Sequence, residues 1–374
     1  MGPVMTRSST STAGPSPLAA ARALHLLDHM GVGGIARSAI ELVRHARMDG
    51  MGDEIVLAGR PLDVDVDFAA PATPVHFLPA LDLGERAAAQ RLVDLAASRG
   101  ARSLHTHSTA TLRLGARARR AGAGLALLAT LNEAPPTELG FVARRALRRD
   151  LRSADRLIAP SPELAEAWSR LGAEVELRLA AVDLGRFRPG AQPSAWRSSR
   201  GIGPQTLLVG CLLRATDDKD TGLVLDAIAE LRERGLDVAV QFVGDGPQRA
   251  ALVERARGLH WMHVRRRVLD VPSWYAMVDV VAFACEAELV PFALIEAMAS
   301  GRAAVAVDPG GLRGLVGEAA HLVAPGNPSA YAEALGALAE PEVRSRLGRA
   351  ARQRAIEFHD LSSLRAALAP AYHG

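Results

Sequence analysis

Residues 275–311 read YAMVDVVAFACEAELVPFALIEAMASGRAAVAVDPGG, and the reading of this stretch decides the fold. Val280 to Ala284 form a short apolar run bounded by charge, too short for a free-standing helix, which predicts a buried strand. The loop CEAELV follows with two carboxylates, and Pro291 stands where a first helical turn begins. Phe292 to Ser300 then read as a helix that is apolar on every side except at Glu296, and Gly301 closes it. A helix of that kind is buried, and a lone carboxylate on it is costly unless something polar meets it. Glu296 therefore needs a partner, and a pair of sugar hydroxyls suits it. Glu288 precedes it with seven residues between, in the loop above the carboxyl end of the strand. Ligands of open α/β sheets bind at that end. An ordinary strand–loop–helix unit carrying one surface Glu and one helix Glu accounts for the same residues, so the rest of the chain has to separate the two.

At 374 residues the chain is long for one core and fits two domains. With 49% hydrophobic and 23% charged residues it has the composition of a soluble globular protein. No run of eighteen apolar residues occurs, so no transmembrane helix is expected. Residues 1–20 are rich in Ser, Thr, Pro and Gly without an apolar segment, and read as a disordered tail rather than a signal peptide. Cys211 and Cys285 lie far apart in apolar settings, which suits free thiols in a reducing cytoplasm. A net charge of +3 suits small polyanionic ligands, and an aromatic content of 4% gives no stacking platform, so nucleic acid is not an expected partner.

The first half opens on an apolar strand, Leu24 to Leu27, a glycine-rich turn, Gly31 to Gly34, and an amphipathic helix from about Ile35 to Met48. Backbone N–H groups at Gly33 and Gly34, with the helix dipole behind them, can hold a phosphate; tight helix–strand packing explains the glycines equally. The spacing lacks the acidic ribose ligand of a nicotinamide site. Asp63-Val64-Asp65 has the form of a metal-binding pair, but its alternation fits an edge strand or loop and no metal context surrounds it. His105 and His107 end a short strand; a zinc site wants further ligands that are not evident nearby, and a cleft-lining or structural role remains open. A strand from Leu125 to Thr130 runs into Asn132 and Glu133. Arg144, Arg145, Arg148, Arg149 and Arg152 then share one helix with Phe141, Val142, Leu147 and Leu151. This is read first as a solvated face and second as a weak peripheral contact with an anionic membrane.

Pro, Gly and Ser crowd residues 189–204, which places a linker there between a domain at 21–188 and one at 205–355; residues 356–374 are expected to cross back. The second domain opens with a strand, Leu207 to Leu213, followed by Arg214 and, five residues on, Lys219 ahead of a helix from Thr221. Two cations at a strand's carboxyl end beside a helix N-terminus suit a diphosphate. Asp217, Asp218 and Asp220 offer the alternative of plain surface ion pairs. Val238 to Val243 form the next strand, and Gly244-Asp245-Gly246-Pro247 opens a further helix. Arg265, Arg266 and Arg267 follow a later strand, and Gly310-Gly311 follows the last strong one.

Taken in order, the glycine loop, linker, Arg214/Lys219 pair, Gly-Asp-Gly-Pro turn, Glu288/Glu296 pair and Gly310-Gly311 resemble the retaining glycosyltransferases of family 4 over about residues 22–372. The resemblance implies the GT-B fold, an α/β architecture of two Rossmann-like doubly wound domains facing across a cleft. It implies that Arg214 and Lys219 grip the leaving nucleoside diphosphate and that Glu288 attends the donor sugar. Glu296 would accept the ribose hydroxyls. Gly33, Gly34, Asn132, Gly244, Gly310 and Gly311 would line the donor. The donor would be a nucleotide sugar, UDP- or GDP-linked, used as co-substrate without a metal, and the acceptor a hydroxyl compound. The chain departs from the pattern at Asn132, where a His is usual, at Ala180-Ala181 for Asn-Gly, at the Arg265–Arg267 run and at Gly314. A nucleotide-sugar epimerase or hydrolase on the same fold would need its acid and base from His105, His107 or Glu133. A non-catalytic partner that keeps the fold is the third reading.

Overall fold

The computed structural model describes residues 23–29, 34–59, 73–79, 84–122, 124–190 and 194–372, which build two parallel sheets. The first contains β1 (Ala23–Leu27), β2 (Glu54–Leu57), β3 (Val75–Phe77), β4 (Ser103–Thr106), β5 (Ala126–Thr130), β6 (Arg156–Ala159) and β7 (Glu176–Leu177). Their order is β3-β2-β1-β4-β5-β6-β7. The second contains β8 (Leu207–Leu212), β9 (Val238–Val243), β10 (Met262–Arg265), β11 (Val280–Phe283), β12 (Ala303–Val307) and β13 (His321–Val323), in the order β10-β9-β8-β11-β12-β13. Strands such as β9, VAVQFV, are buried at every position, as a parallel sheet covered on both faces requires. The strand order reverses between β1 and β4 and again between β8 and β11. Those two switch points are where doubly wound sheets take ligands.

The helix Phe292–Ala299 is fully buried apart from Ala293, including Glu296, and Ser300 and Gly301 end it. It packs against the long helix Pro341–Phe358, whose first turn is set by Pro341. The segment expected as a linker is fastened at its second half. A short helix, Ser194–Ser198, presents buried Arg197 to Asp279 at 2.9 Å and to the Thr206 carbonyl at 2.6 Å. The chain crosses back at a parallel bridge between Val182 and Asp360, and the helix Leu361–Tyr372 packs on the first sheet. There Leu368 and Tyr372 cover Ala23, Leu128 and Ile158, residues of one pleated face.

Gly348 shows how closely the second domain is packed: a Cβ there would lie 2.4 Å from the Gly301 carbonyl oxygen, a backbone atom with little freedom to yield. Gly348→Ala is expected to lower the unfolding free energy by about 1–3 kcal/mol, as overpacking does, read as a lower denaturant midpoint at unchanged slope.

Candidate active site

A cleft of about 610 Å³ lies between the switch points of the two sheets. Arg214, Lys219, Glu288 and Glu296 all line it. The loop after β8 is held by backbone bonds: Ala215 donates to the Asp245 carbonyl and accepts from Gln248, both at 2.9 Å. This interlock explains the Gly-Asp-Gly turn. A Cβ on Gly244 would fall 1.7 Å from the Leu213 carbonyl oxygen, and one on Gly246 would fall 2.5 Å from that of Ala215. The turn is therefore pressed against the loop that carries Arg214. Arg214 itself is exposed and, among the described residues, has no carboxylate partner.

Lys219 is buried and paired with Glu288; its Nζ also donates to Cys285 Sγ at 3.0 Å and lies 3.5 Å from Asp218. Burial pulls the Lys219 ammonium pKa down, but Glu288 and Cys285 outweigh it and the net shift is upward, so the ammonium stays charged. The surface-pair alternative thus holds in part: Asp218 touches Lys219, but the main partner is the cleft carboxylate Glu288.

Glu296, 1% exposed, accepts from Arg37 Nη1 at 2.7 Å and lies 3.0 Å from the Tyr275 hydroxyl. That hydroxyl is also 2.8 Å from the Ala293 carbonyl and has one proton to share between them. The partner expected for this carboxylate is thus supplied by the protein itself, from the other domain. Arg37 was not singled out from the sequence. A signal was there, because a cation in the first turn of the helix Gly34–Met48 opposes the helix dipole and so calls for an anion. Gly34 earns its place by packing: a Cβ there would lie 2.4 Å from the Phe292 ring, so its absence lets the two helices meet.

Asn132 lines the cleft, anchored by its Nδ2 to the His107 carbonyl at 3.0 Å. Gly33 and Asp63-Val64-Asp65 lie outside the described residues. Gly310 and Gly311 lie beyond the residues that line the cleft. Asp308 Oδ1 accepts from the amides of Gly310, Gly311 and Leu312 at 2.9, 2.7 and 2.9 Å, and a Cβ on Gly311 would meet Glu163 at 2.3 Å. The pair forms a turn packed on the first domain. His105 and His107 also depart from the cleft. They are buried beside His25, which β1 aligns directly with His105, so a third imidazole exists that sequence distance concealed. Both nitrogens of His105 are met by hydroxyls, Tyr372 and Thr130, each at 2.8 Å, which ties the last helix to the sheet. Burial holds the His105 and His107 pKa values well below the usual imidazole range, keeping both neutral.

Residues 32–185 match the family model described as Glycosyltransferase Family 4, and residues 203–340 match Glycosyl transferases group 1. A GDP-mannose-dependent alpha-(1-6)-phosphatidylinositol monomannoside mannosyltransferase of Mycolicibacterium smegmatis is 31% identical over 264 residues, covering 65% of this chain and 69% of that one. The chain belongs to glycosyltransferase family 4. A D-inositol 3-phosphate glycosyltransferase of Streptomyces bingchenggensis is 33% identical over 232 residues, 55% of this chain and 50% of the relative. The chain spans about half the length of the inositol 3-phosphate relatives it matches. Among solved structures, HepE of Anabaena in complex with UDP-glucose superposes with a TM-score of 0.77 at 21% identity, over 93% of this chain and 98% of that one. The family 4 chain therefore has the GT-B fold. No helix among its described residues is long and apolar enough to cross a membrane.

The Asp308 turn gives a pH test. Burial pushes this carboxyl up, but the three amides more than offset it and hold its pKa below the usual value. Its contribution to stability is then present above the unfolded pKa of about 3.9 and is lost as pH falls through the lower folded value. The midpoint difference between wild type and Asp308→Ala should be full at neutral pH and shrink in acid.

Proposed function

We propose that the cleft takes a nucleotide sugar, UDP- or GDP-linked, and transfers its sugar to a hydroxyl acceptor with retention of configuration. The observation that carries this reading is the convergence of Arg214, Lys219, Glu288 and Glu296 on one cleft at the second sheet's switch point. Arg214 meets the diphosphate with an unspent guanidinium, and Lys219 adds a charge fixed by Glu288. As the glycosidic bond breaks, negative charge grows on the departing diphosphate and positive charge on the sugar carbon. The two cations stabilise the first, and Glu288 stands near the second. With two side-chain cations in that position, the reaction has no need of a divalent metal. Cys211 and Cys285, both free, fit a cytoplasmic enzyme.

Glu296 is assigned to the ribose hydroxyls, which must take it from Arg37. A buried carboxylate stripped of its cation costs roughly 3–5 kcal/mol, so donor binding and release of Arg37 are coupled through one group. The epimerase or hydrolase alternative loses support because His105 and His107 are buried away from the cleft, leaving Glu133 alone among its acid/base candidates.

Release of nucleoside diphosphate, followed with and without candidate acceptors, tests the proposal. Acceptor-dependent release is expected. Acceptor-independent turnover points to the hydrolase, and no release with any donor points to a non-catalytic partner. Arg214→Ala should lower kcat by about 10²–10³-fold. Glu296→Gln should chiefly raise the donor KM, and the opposite division between the two variants would count against these roles. In Arg37→Met, the rise in Tm on adding UDP or GDP should exceed that of wild type, because ribose then satisfies a carboxylate left bare.

A further inference from the structure

Away from the cleft, the first domain holds a second buried carboxylate. Asp53, 1% exposed, accepts from the Ala23 amide at 3.1 Å through Oδ1. Its other oxygen lies 3.5 Å from His25 Nε2, and among the described residues that imidazole is its one ion-pair partner. The distance is too long for a hydrogen bond, and His25 Nε2 is itself buried with no hydrogen-bond partner among the described residues. Buried charges are paired with an opposite charge or coordinate a metal, and here no lysine or arginine does what Arg37 does for Glu296.

Behind the carboxylate stands a cluster of three imidazoles. β1 and β4 pair His25 with His105 in register, and His107 lies two residues past His105, so the pleat turns all three to one face. None is more than 3% exposed. His25 Nδ1 and His107 Nε2 are 3.2 Å apart, and one nitrogen from each ring lies within 4.8 Å of the others. The ring centres are 5.0, 5.4 and 4.3 Å apart. Three imidazoles on one tetrahedral zinc, at a Zn–N distance of about 2.0–2.1 Å, hold their nitrogens roughly 3.3 Å and their ring centres roughly 5 Å apart. The three rings already stand close to that spacing.

The neighbours suit a metal as well. Asp53 faces Nε2 of His25 while Nδ1 points at His107, the arrangement by which a carboxylate orients a metal-bound imidazole. His105 meets the hydroxyls of Tyr372 and Thr130; an ion replaces one of them and leaves the other to orient the ring. Burial keeps His105 and His107 neutral, the form that ligates a metal. Nitrogen ligands favour zinc over magnesium or calcium, which take oxygen. A different group, Glu41, His45 and Asp183, also gathers ligand-type atoms, but Arg44 and Arg186 already pair with its carboxylates and it is not short of positive charge.

We propose that His25, His105 and His107 bind one zinc ion, with Asp53 orienting His25 and balancing part of the charge. The ion joins β1 to β4 beside Tyr372, the end of the helix that crosses back from the second domain. Its role is structural, and it stands whether or not the cleft transfers a sugar.

The untagged full chain, prepared in zinc-supplemented medium and desalted, has its zinc counted by mass spectrometry. About one zinc per chain is expected, and stripping it with a chelator should lower the Tm, which zinc alone restores. His107→Gln should lose the ion. Asp53→Asn keeps the side chain's shape and should bind zinc about 10–100-fold more weakly; it serves where the histidine variant does not fold. Cobalt alone, added to the stripped chain, should give the visible bands of a tetrahedral site in wild type and not in His107→Gln. A chain that retains no zinc, and whose Tm zinc does not raise, overturns the proposal: the imidazoles then hold one another through protons only. Zinc held at wild-type strength by a folded variant overturns it too, since the ion then sits elsewhere.

Discussion

A carboxylate cannot be charged, buried and alone, and this constraint at Glu296 shapes the molecule. The helix that carries it is apolar over nearly its whole surface, and desolvating an ion there costs several kcal/mol before any partner is counted. Arg37 supplies the partner from the opposite domain, at 2.7 Å, and its own pKa is affected first by burial, which lowers it, and then by Glu296, which wins and raises it. One ion pair thus ties the two domains together on this side. Gly34 is the steric counterpart, since the helix bearing Arg37 approaches only because nothing projects toward Phe292.

The same logic divides the cleft into spent and unspent charge. Lys219 with Glu288, and Arg37 with Glu296, are satisfied before any ligand arrives. Satisfied pairs hold their geometry, and a polyanion that enters must exchange one partner for another rather than gain a fresh one. Arg214 is the exposed exception and offers an interaction not already spent.

The second-domain part of this was legible in the sequence because each residue concerned lies just beyond a strand whose apolar run is plain. Arg214 follows β8, Glu288 follows β11, and the Gly244 turn follows β9. A parallel sheet brings such positions to one edge whatever their separation along the chain. Arg37 and His25 escaped for a common reason. Each acts through a contact between distant segments, 259 residues apart for Arg37 with Glu296 and 82 for His25 with His107, and local pattern carries no trace of such pairing. At Gly310-Gly311 the sequence left a ligand approach and a turn equally open, and what it did not show is that Asp308, two residues earlier, gathers the amides of the turn. Composition likewise marked 189–204 as a loose joint, and a single buried arginine, Arg197, was enough to fasten half of it.

Where the domains are joined covalently also constrains how the cleft can open. Val182 bonds across to His359 and Leu361, at 2.9 and 3.1 Å, so the outgoing and returning strands of chain lie side by side. His359, buried, sets one ring nitrogen 2.7 Å from the Ala180 carbonyl and the other 3.1 Å from that of Leu315, stitching the crossing to both domains. Arg352 adds bonds to the carbonyls of Phe187 and Ala299 at 2.9 and 2.7 Å. These contacts are largely backbone and internally matched, with nothing in them for a donor to displace. The Arg37–Glu296 contact is made by side chains that line the cleft. Of these two kinds of interdomain contact, the ion pair is open to the cleft, and the crossing at Val182 and His359 is closed by its own hydrogen bonds.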